Sequence, residues 1–256
     1  MKFLSVPIAL AAWLAVPASA QSNLSIDSDG SGPRAVVERF VALNASEALS
    51  GPEGQALLGG ELADLRLTSV GSLAPADRVV MLANGHAVAR LPASADRNRD
   101  HYLYLRRSGD GAWKIEAVRA LALPAFFATL RDYLRNAPTR SEEDEEMLAN
   151  SELTLQTDAE LRTWFAANRV ALDRLRQLAQ AGGAGTDEAR QIVSAIHGLG
   201  ANADTPGLVI IVLVGLVDNS VGFLHADDPG AVPAIDPDEY IWIEPVGGGW
   251  YLFRTT

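Results

Sequence analysis

The sequence holds four histidines and no cysteine, so imidazole and carboxylate groups are its means of doing acid–base chemistry near neutral pH. His225-Ala226-Asp227-Asp228-Pro229 is the best-placed catalytic string. A carboxylate two residues beyond an imidazole can orient it as a base, and His225 and Asp227 are the candidate pair. The same residue types also build ordinary exits from strand to loop. His86 follows an Asn84-Gly85 turn. In a two-residue hairpin His86 pairs with Ala83, so that Met81, Val88 and Arg90 share its face. If that face lines a hollow, His86 and Arg90 can hold an acidic ligand; a histidine beside a turn is otherwise simply solvated. Tyr240 and Trp242, with Trp250 and Tyr251 nearby, are candidates for a sugar- or peptide-stacking surface. Strand alternation puts Tyr240 and Trp242 opposite Ile241 and Ile243, and one of those faces must pack the core.

Other signatures are missing from the sequence. It has no HExxH, no GxSxG, no Walker loop and no GxGxxG after a strand. Zinc and triad chemistry need several groups converging in space, and no spacing here imposes that. His197 sits where a helix ends, and an imidazole there complements the carbonyl end of the dipole. The acidic run 142–146 reads as a solvated helix start capped by Ser141, because consecutive carboxylates on a helix point in different directions. No metal and no cofactor is expected.

Charge narrows the partners. Residues 21–140 carry 14 basic and 13 acidic side chains, whereas residues 141–256 carry 6 and 19. A surface of that sign is a poor match for nucleic acid or anionic lipid, which need clustered cations. A protein partner or a small molecule stays open, as does the oligomeric state.

The elements that must position these residues begin after an export signal. Lys2 precedes an apolar stretch over 3–16, and Ala18-Ser19-Ala20 gives the small-x-small pattern of a cleavage site. The stretch is short of the ~20 residues a spanning helix needs. The expectation is cleavage after Ala20 and a periplasmic or secreted chain with no membrane anchor. Residues 21–32 read as a polar, disordered lead.

Residues 33–137 form the first predicted module. A helix opens at Pro33 with Val36, Val37, Phe40, Val41 and Leu43 on one stripe. Strands over 79–83 and 86–91 flank the Asn-Gly turn, and 102–105 and 113–116 form a second hairpin. A helix over 125–136 buries Phe126, Phe127, Leu130 and Leu134. Residues 138–150 read as an acidic linker or short helix, and 151–256 as the second module. Thr157 and Glu160 make a capping box for a long helix ended by Gly182, and a helix over 187–197 stops at Gly198. The β-branched run 207–217 reads as a buried strand, a turn falls at 218–220, and 221–225 returns. A hairpin around Gly247-Gly248-Gly249 closes the chain. The fold class is therefore α+β, two small modules with helices packed on antiparallel sheets. Matching Gly-rich hairpins, 101–116 against 239–254, and turns at Asn84-Gly85 and Asn219-Ser220 raise the expectation of a diverged repeat.

Residues 31–135 resemble the NTF2-like (SnoaL-like) α+β group. The resemblance lies in the N-terminal amphipathic helix, the run of antiparallel strands and the late Gly109-Asp110-Gly111-Ala112-Trp113-Lys114-Ile115 turn and strand. It implies an isomerase, a dehydratase or a non-catalytic binding domain, and that group's Asp/His dyad has no assigned positions here. The tail 218–256 is similar to those of uncharacterised bacterial proteins, which implies no function. The reading is an exported, non-catalytic ligand-binding or protein-interaction module. The alternative is an NTF2-like lyase or isomerase, or a hydrolase using His225 and Asp227.

Overall fold

The computed structural model describes residues 32–93, 99–121, 123–216 and 219–255; the predicted export signal and most of the polar lead lie outside them. The chain is α+β with two antiparallel sheets. Helix α1 (Pro33–Ala45) starts on proline, whose missing N–H costs nothing at the first helical position. Helix α2 (Pro52–Leu57) and a 3-10 turn (Gly60–Asp64) follow. The first sheet is a meander of β1 (Arg78–Met81), β2 (His86–Leu91), β3 (His101–Arg107) and β4 (Trp113–Ala120), neighbours in chain order. The segment after α2 covers the β4 edge, where the Gly59 N–H donates to the Ile115 carbonyl at 2.9 Å.

Four helices come next: α3 (Pro124–Asn136), α4 (Glu142–Leu155), α5 (Asp158–Gln180) and α6 (Asp187–Ala195). Ser141 and Thr157 both close full capping boxes, with Asp144 and Glu160 reaching back to the cap N–H groups. The second sheet holds β5 (Gly200–Asn202), β6 (Leu208–Leu216), β7 (Asn219–Ala226), β8 (Trp242–Gly247) and β9 (Trp250–Arg254), in the order β5-β6-β7-β9-β8.

The two sheets stack, and helices cover their outer faces. Val37 and Phe40 of α1 pack on Ala87, Ala89, Leu103 and Leu105. Phe165, Leu172 and Leu175 of α5 pack on Val209, Ile211, Phe223 and Leu252. Between the sheets, Val80, Val88, Tyr102 and Tyr104 meet Leu208, Leu224, Ile243 and Phe253 in a shared core. This arrangement explains the unbroken apolar run of β6. Val209, Ile211 and Leu213 are buried against the helices, while Leu208, Ile210 and Val212 pack towards the other sheet, so both sides of the strand have apolar neighbours.

Several expectations need correction. The first hairpin has a three-residue loop, Ala83-Asn84-Gly85, with φ of 59° at Asn84 and 73° at Gly85. The positive φ angles of an Asn-Gly turn are there, but the Leu82 N–H, not Ala83, bonds to His86. The register therefore slips by one, which puts Met81 opposite Ala87 on the outer face, away from His86. The acidic run does start a capped helix, yet α4 runs to Leu155 and buries Leu148 and Leu153 by packing between α3 and β6. Phe126 of α3 is half exposed, and only Phe127 and Leu134 of that helix are buried.

The repeat does not hold. In the first sheet the second strand of the late hairpin, β4, is the edge; in the second sheet it is the first strand, β8. Asn219 and Ser220 lie inside β7, opposite Leu216 and Gly215, and the remaining residue of the expected 218–220 turn lies outside the described residues.

Candidate functional site

The inner face of the first sheet is laid out in three rows, fixed by the register. Arg78, Arg90, Tyr102 and Arg119 are mutual cross-strand partners in one row. Val80, Val88, Tyr104 and Ala117 make the second, and His86 with Arg106 the third. Arg78, Arg90 and Tyr102 of the first row join a buried ionic seam with the second sheet, the middle row packs against that sheet, and the third opens into a cleft that Tyr104, Ala117 and Arg119 also line.

At the seam, Arg90 is the hub. Its Nε donates to Asp77 at 3.0 Å, and its Nη1 reaches both Glu244 oxygens at 3.2 Å and Asp158 Oδ2 at 3.5 Å. Asp158, the first residue of α5, is fully buried. It accepts from Tyr102 Oη at 2.8 Å and from Arg254 Nε at 2.7 Å. Glu244 is also held by Arg162 and by Arg78 at 3.4 Å. Asp100 accepts the Asp158 N–H at 2.7 Å, so two carboxylates sit at the positive end of α5. Trp242 stacks on Tyr102 with ring centroids 5.3 Å apart, and the Arg78 and Arg90 guanidinium groups lie 6.0 and 5.8 Å from its ring.

The seam balances four guanidinium groups (Arg78, Arg90, Arg162, Arg254) against four carboxyls (Asp77, Asp100, Asp158, Glu244). Burial pushes the Glu244 carboxyl up, and Arg90 and Arg162 partly offset it. Burial also raises Asp100, and the Asp158 charge adds to the shift. Burial opposes charge on Arg90 and Arg254 as well, but their acidic neighbours hold both above the ordinary arginine range. The buried charges are answered from within, which is the arrangement of a structural clasp.

The cleft, of about 630 Å³, lies where the segment 233–240 crosses the first sheet as a strap. Tyr104 Oη donates to the Ile241 carbonyl, and Arg119 Nε donates to the Pro237 carbonyl at 2.8 Å, fixing the strap just beyond its end and at its middle. The strap braces itself through Asp236, which accepts the Asp238 N–H at 2.7 Å. His86, Arg106 and Glu116 form the sheet wall, Glu61 adds to it from the 3-10 turn, and Asp236 and Asp238 form the strap wall. Leu82, Ala117 and Ile235 give the cleft its apolar surface.

The sequence candidates divide accordingly. His86 lines the cleft, but Arg90 does not join it there: they share a face with the Val88 row between them, and Arg90 is consumed by the seam. Trp242 is fully buried and Tyr240 half-buried against Phe253, so neither offers an open stacking face. The alternation argument failed at Trp242 because the start of an edge strand can bury both its sides.

His225 sits on β7, edge-on to Trp250, with its Nδ1 3.6 Å from Asp227 Oδ1, too long for a hydrogen bond. Burial, with Arg176 next, depresses the imidazole below its usual range, and Asp227 and Asp173 offset only part of that. His197 ends α6 with φ of 53° beside Glu142, Glu145 and Glu146. Among the described residues no group of three or more histidines and carboxylates is placed to hold a metal ion.

Sequence reasoning missed Asp158, Glu244 and Arg254. A signal was present: Glu244 and Arg254 are lone charges in apolar strands, as Arg90 is. Such charges must meet partners of opposite sign in the interior. No family model, curated protein or solved structure matches the chain. The fold and site define an α+β protein of two stacked antiparallel sheets clasped by buried ion pairs. Among the described residues no helix is long and apolar enough to cross a membrane.

Proposed function

We propose that the chain is exported and serves as a non-catalytic binding module, with the cleft under the 233–240 strap as its ligand site. The observation that carries this reading is the cleft itself, whose walls come from both sheets' modules and whose interior mixes charged and apolar side chains. Its one imidazole, His86, makes no hydrogen bond or ion pair among the described residues, so nothing there orients it as a base. Export is supported by the Lys2, apolar 3–16 and Ala18-Ser19-Ala20 pattern. The order of α1 followed by the β1–β4 meander is compatible with an NTF2-like origin for the first module, a group rich in binding domains.

The test compares wild type with Ala83→Trp/Ala234→Trp, two exposed sites at the cleft rim. Native mass spectrometry of protein taken from the periplasm should show a small molecule on wild type and none on the blocked variant. A ligand or protein partner retained equally by both would overturn the cleft as the site. Recovery of the chain only from the cytoplasm, with residues 1–20 intact, would overturn export.

A further inference from the structure

Resting on the cleft as the ligand site, the charge pattern of its walls narrows the ligand class. Two arginines line the cleft, and both are answered locally. Arg106 lies 3.7 Å from Glu116, and Arg119 lies 3.3 Å from Asp238 while also bonding the Pro237 carbonyl. Two carboxylates remain. Glu61 and Asp236 form no ion pair among the described residues. They stand on different walls, Glu61 on the 3-10 turn against β4 and Asp236 on the strap. Leu82, Ala117 and Ile235 supply apolar surface to the same cleft. Four carboxylates against two guanidinium groups leave a formal −2 in the lining, in a chain whose own formal charge is −11. An anionic ligand would meet repulsion from both walls, whereas a cation at each end of an apolar chain would compensate both carboxylates that lack an ion pair.

We infer that the cleft takes an elongated dication with an apolar middle, of the α,ω-diamine or oligoamine class. The two ammonium ends pair with Glu61 and Asp236, and the methylenes lie on the apolar surface between. Such a compound needs no proton transfer or bond change to be held, in keeping with a binding role.

The test is calorimetric titration of the purified protein with 1,4-diaminobutane and spermidine, against butylamine and succinate as probes of one cation and of two anions. The diamine and spermidine should bind and butylamine should bind more weakly. Glu61→Gln and Asp236→Asn should each weaken diamine binding about two- to fivefold, the range of exposed ion pairs. Both sites are exposed, and Glu143→Gln, an exposed carboxylate of α4 outside the cleft, controls for general charge. Rising salt should weaken the diamine in step. Succinate binding that Arg106→Gln weakens, with no diamine binding, would overturn the dication and leave the cleft as a site for anions. Diamine binding that survives Glu61→Gln/Asp236→Asn unchanged would overturn it as unspecific. Silence from every probe would also overturn it, while the blocked-cleft comparison, which does not depend on ligand charge, decides separately on the cleft.

Discussion

Asp158→Asn isolates the seam with little change of shape. The asparagine keeps an oxygen for the Tyr102 hydroxyl, but the charge that answers Arg254 is gone. Arg254 is 4% exposed and Asp158 is fully buried, and their Nε–Oδ1 contact is 2.7 Å. Arg90 suffers less, since Asp77 and Glu244 still hold it. Leaving a buried cation uncompensated costs about 3–5 kcal/mol. For a chain of this size each kcal/mol moves the melting midpoint by about 2–4 °C, so a fall of about 6–20 °C is expected. Urea unfolding followed by circular dichroism gives the number directly, with the slope on denaturant unchanged if only stability shifts. Arg254→Met on the Asp158→Asn background removes the stranded cation and should recover more than half of the loss. A cost below about 1 kcal/mol, as for a solvent-exposed pair, would refute the clasp, and so would a double variant that loses the sum of the two singles.

Other outcomes follow from the same packing. Gly222 sits opposite Val212, where an added Cβ would fall on the Ile211 carbonyl oxygen and within 2.8 Å of the Phe253 ring. Gly222→Ala should therefore destabilise by about 1–3 kcal/mol, and an unchanged urea midpoint would contradict that contact. Because burial lowers the His225 pKa, the unfolded chain takes up this proton first. Wild type should lose stability as pH drops below about 6.5, and His225→Gln should not. Asp100 has the opposite sign. Its raised pKa makes the folded state the better proton acceptor, so its contribution grows as pH falls through that raised value, and Asp100→Asn should flatten the rise. Urea midpoints from pH 7 down to about 4 report both groups, and parallel curves for wild type and variant would refute either assignment. The shared core between the sheets predicts one unfolding transition. Tryptophan fluorescence and far-ultraviolet circular dichroism should give one midpoint, and two separated steps would show that the modules unfold independently.

The elements were legible where local chemistry dictates them. The capping box at Thr157 and the proline at the start of α1 name their helices from a few residues each, whereas Ser141 marked where α4 starts but not that it runs to Leu155. The hairpins were recognisable for the same reason, since Asn84 and Gly85 supply the left-handed backbone their turn requires. Register was not legible. Whether the loop has two residues or three depends on which face of β1 the two cores claim, and that is a tertiary choice. The short β5 and the edge position of β8 likewise depend on the partner strand rather than on their own residues.

The site was legible only by residue type, because what separates His86 from Arg90 is what packs between and around them. Arg90 looks like a ligand-binding cation on a hairpin face until Asp158 and Glu244 arrive from α5 and β8, 68 and 154 residues further on. Once those charges are spent on each other, the inner face has a closed end and an open one, with Val88 and Tyr104 between them. The clasp fixes how far apart the sheets sit, and the strap, which leads into β8 of the second sheet, is tied to the first sheet through Tyr104 and Arg119. The width of the cleft thus depends on the seam, which lies outside the cleft. Loosening the seam should therefore weaken cleft binding along with stability, while changes at Glu61 or Asp236 should alter binding alone.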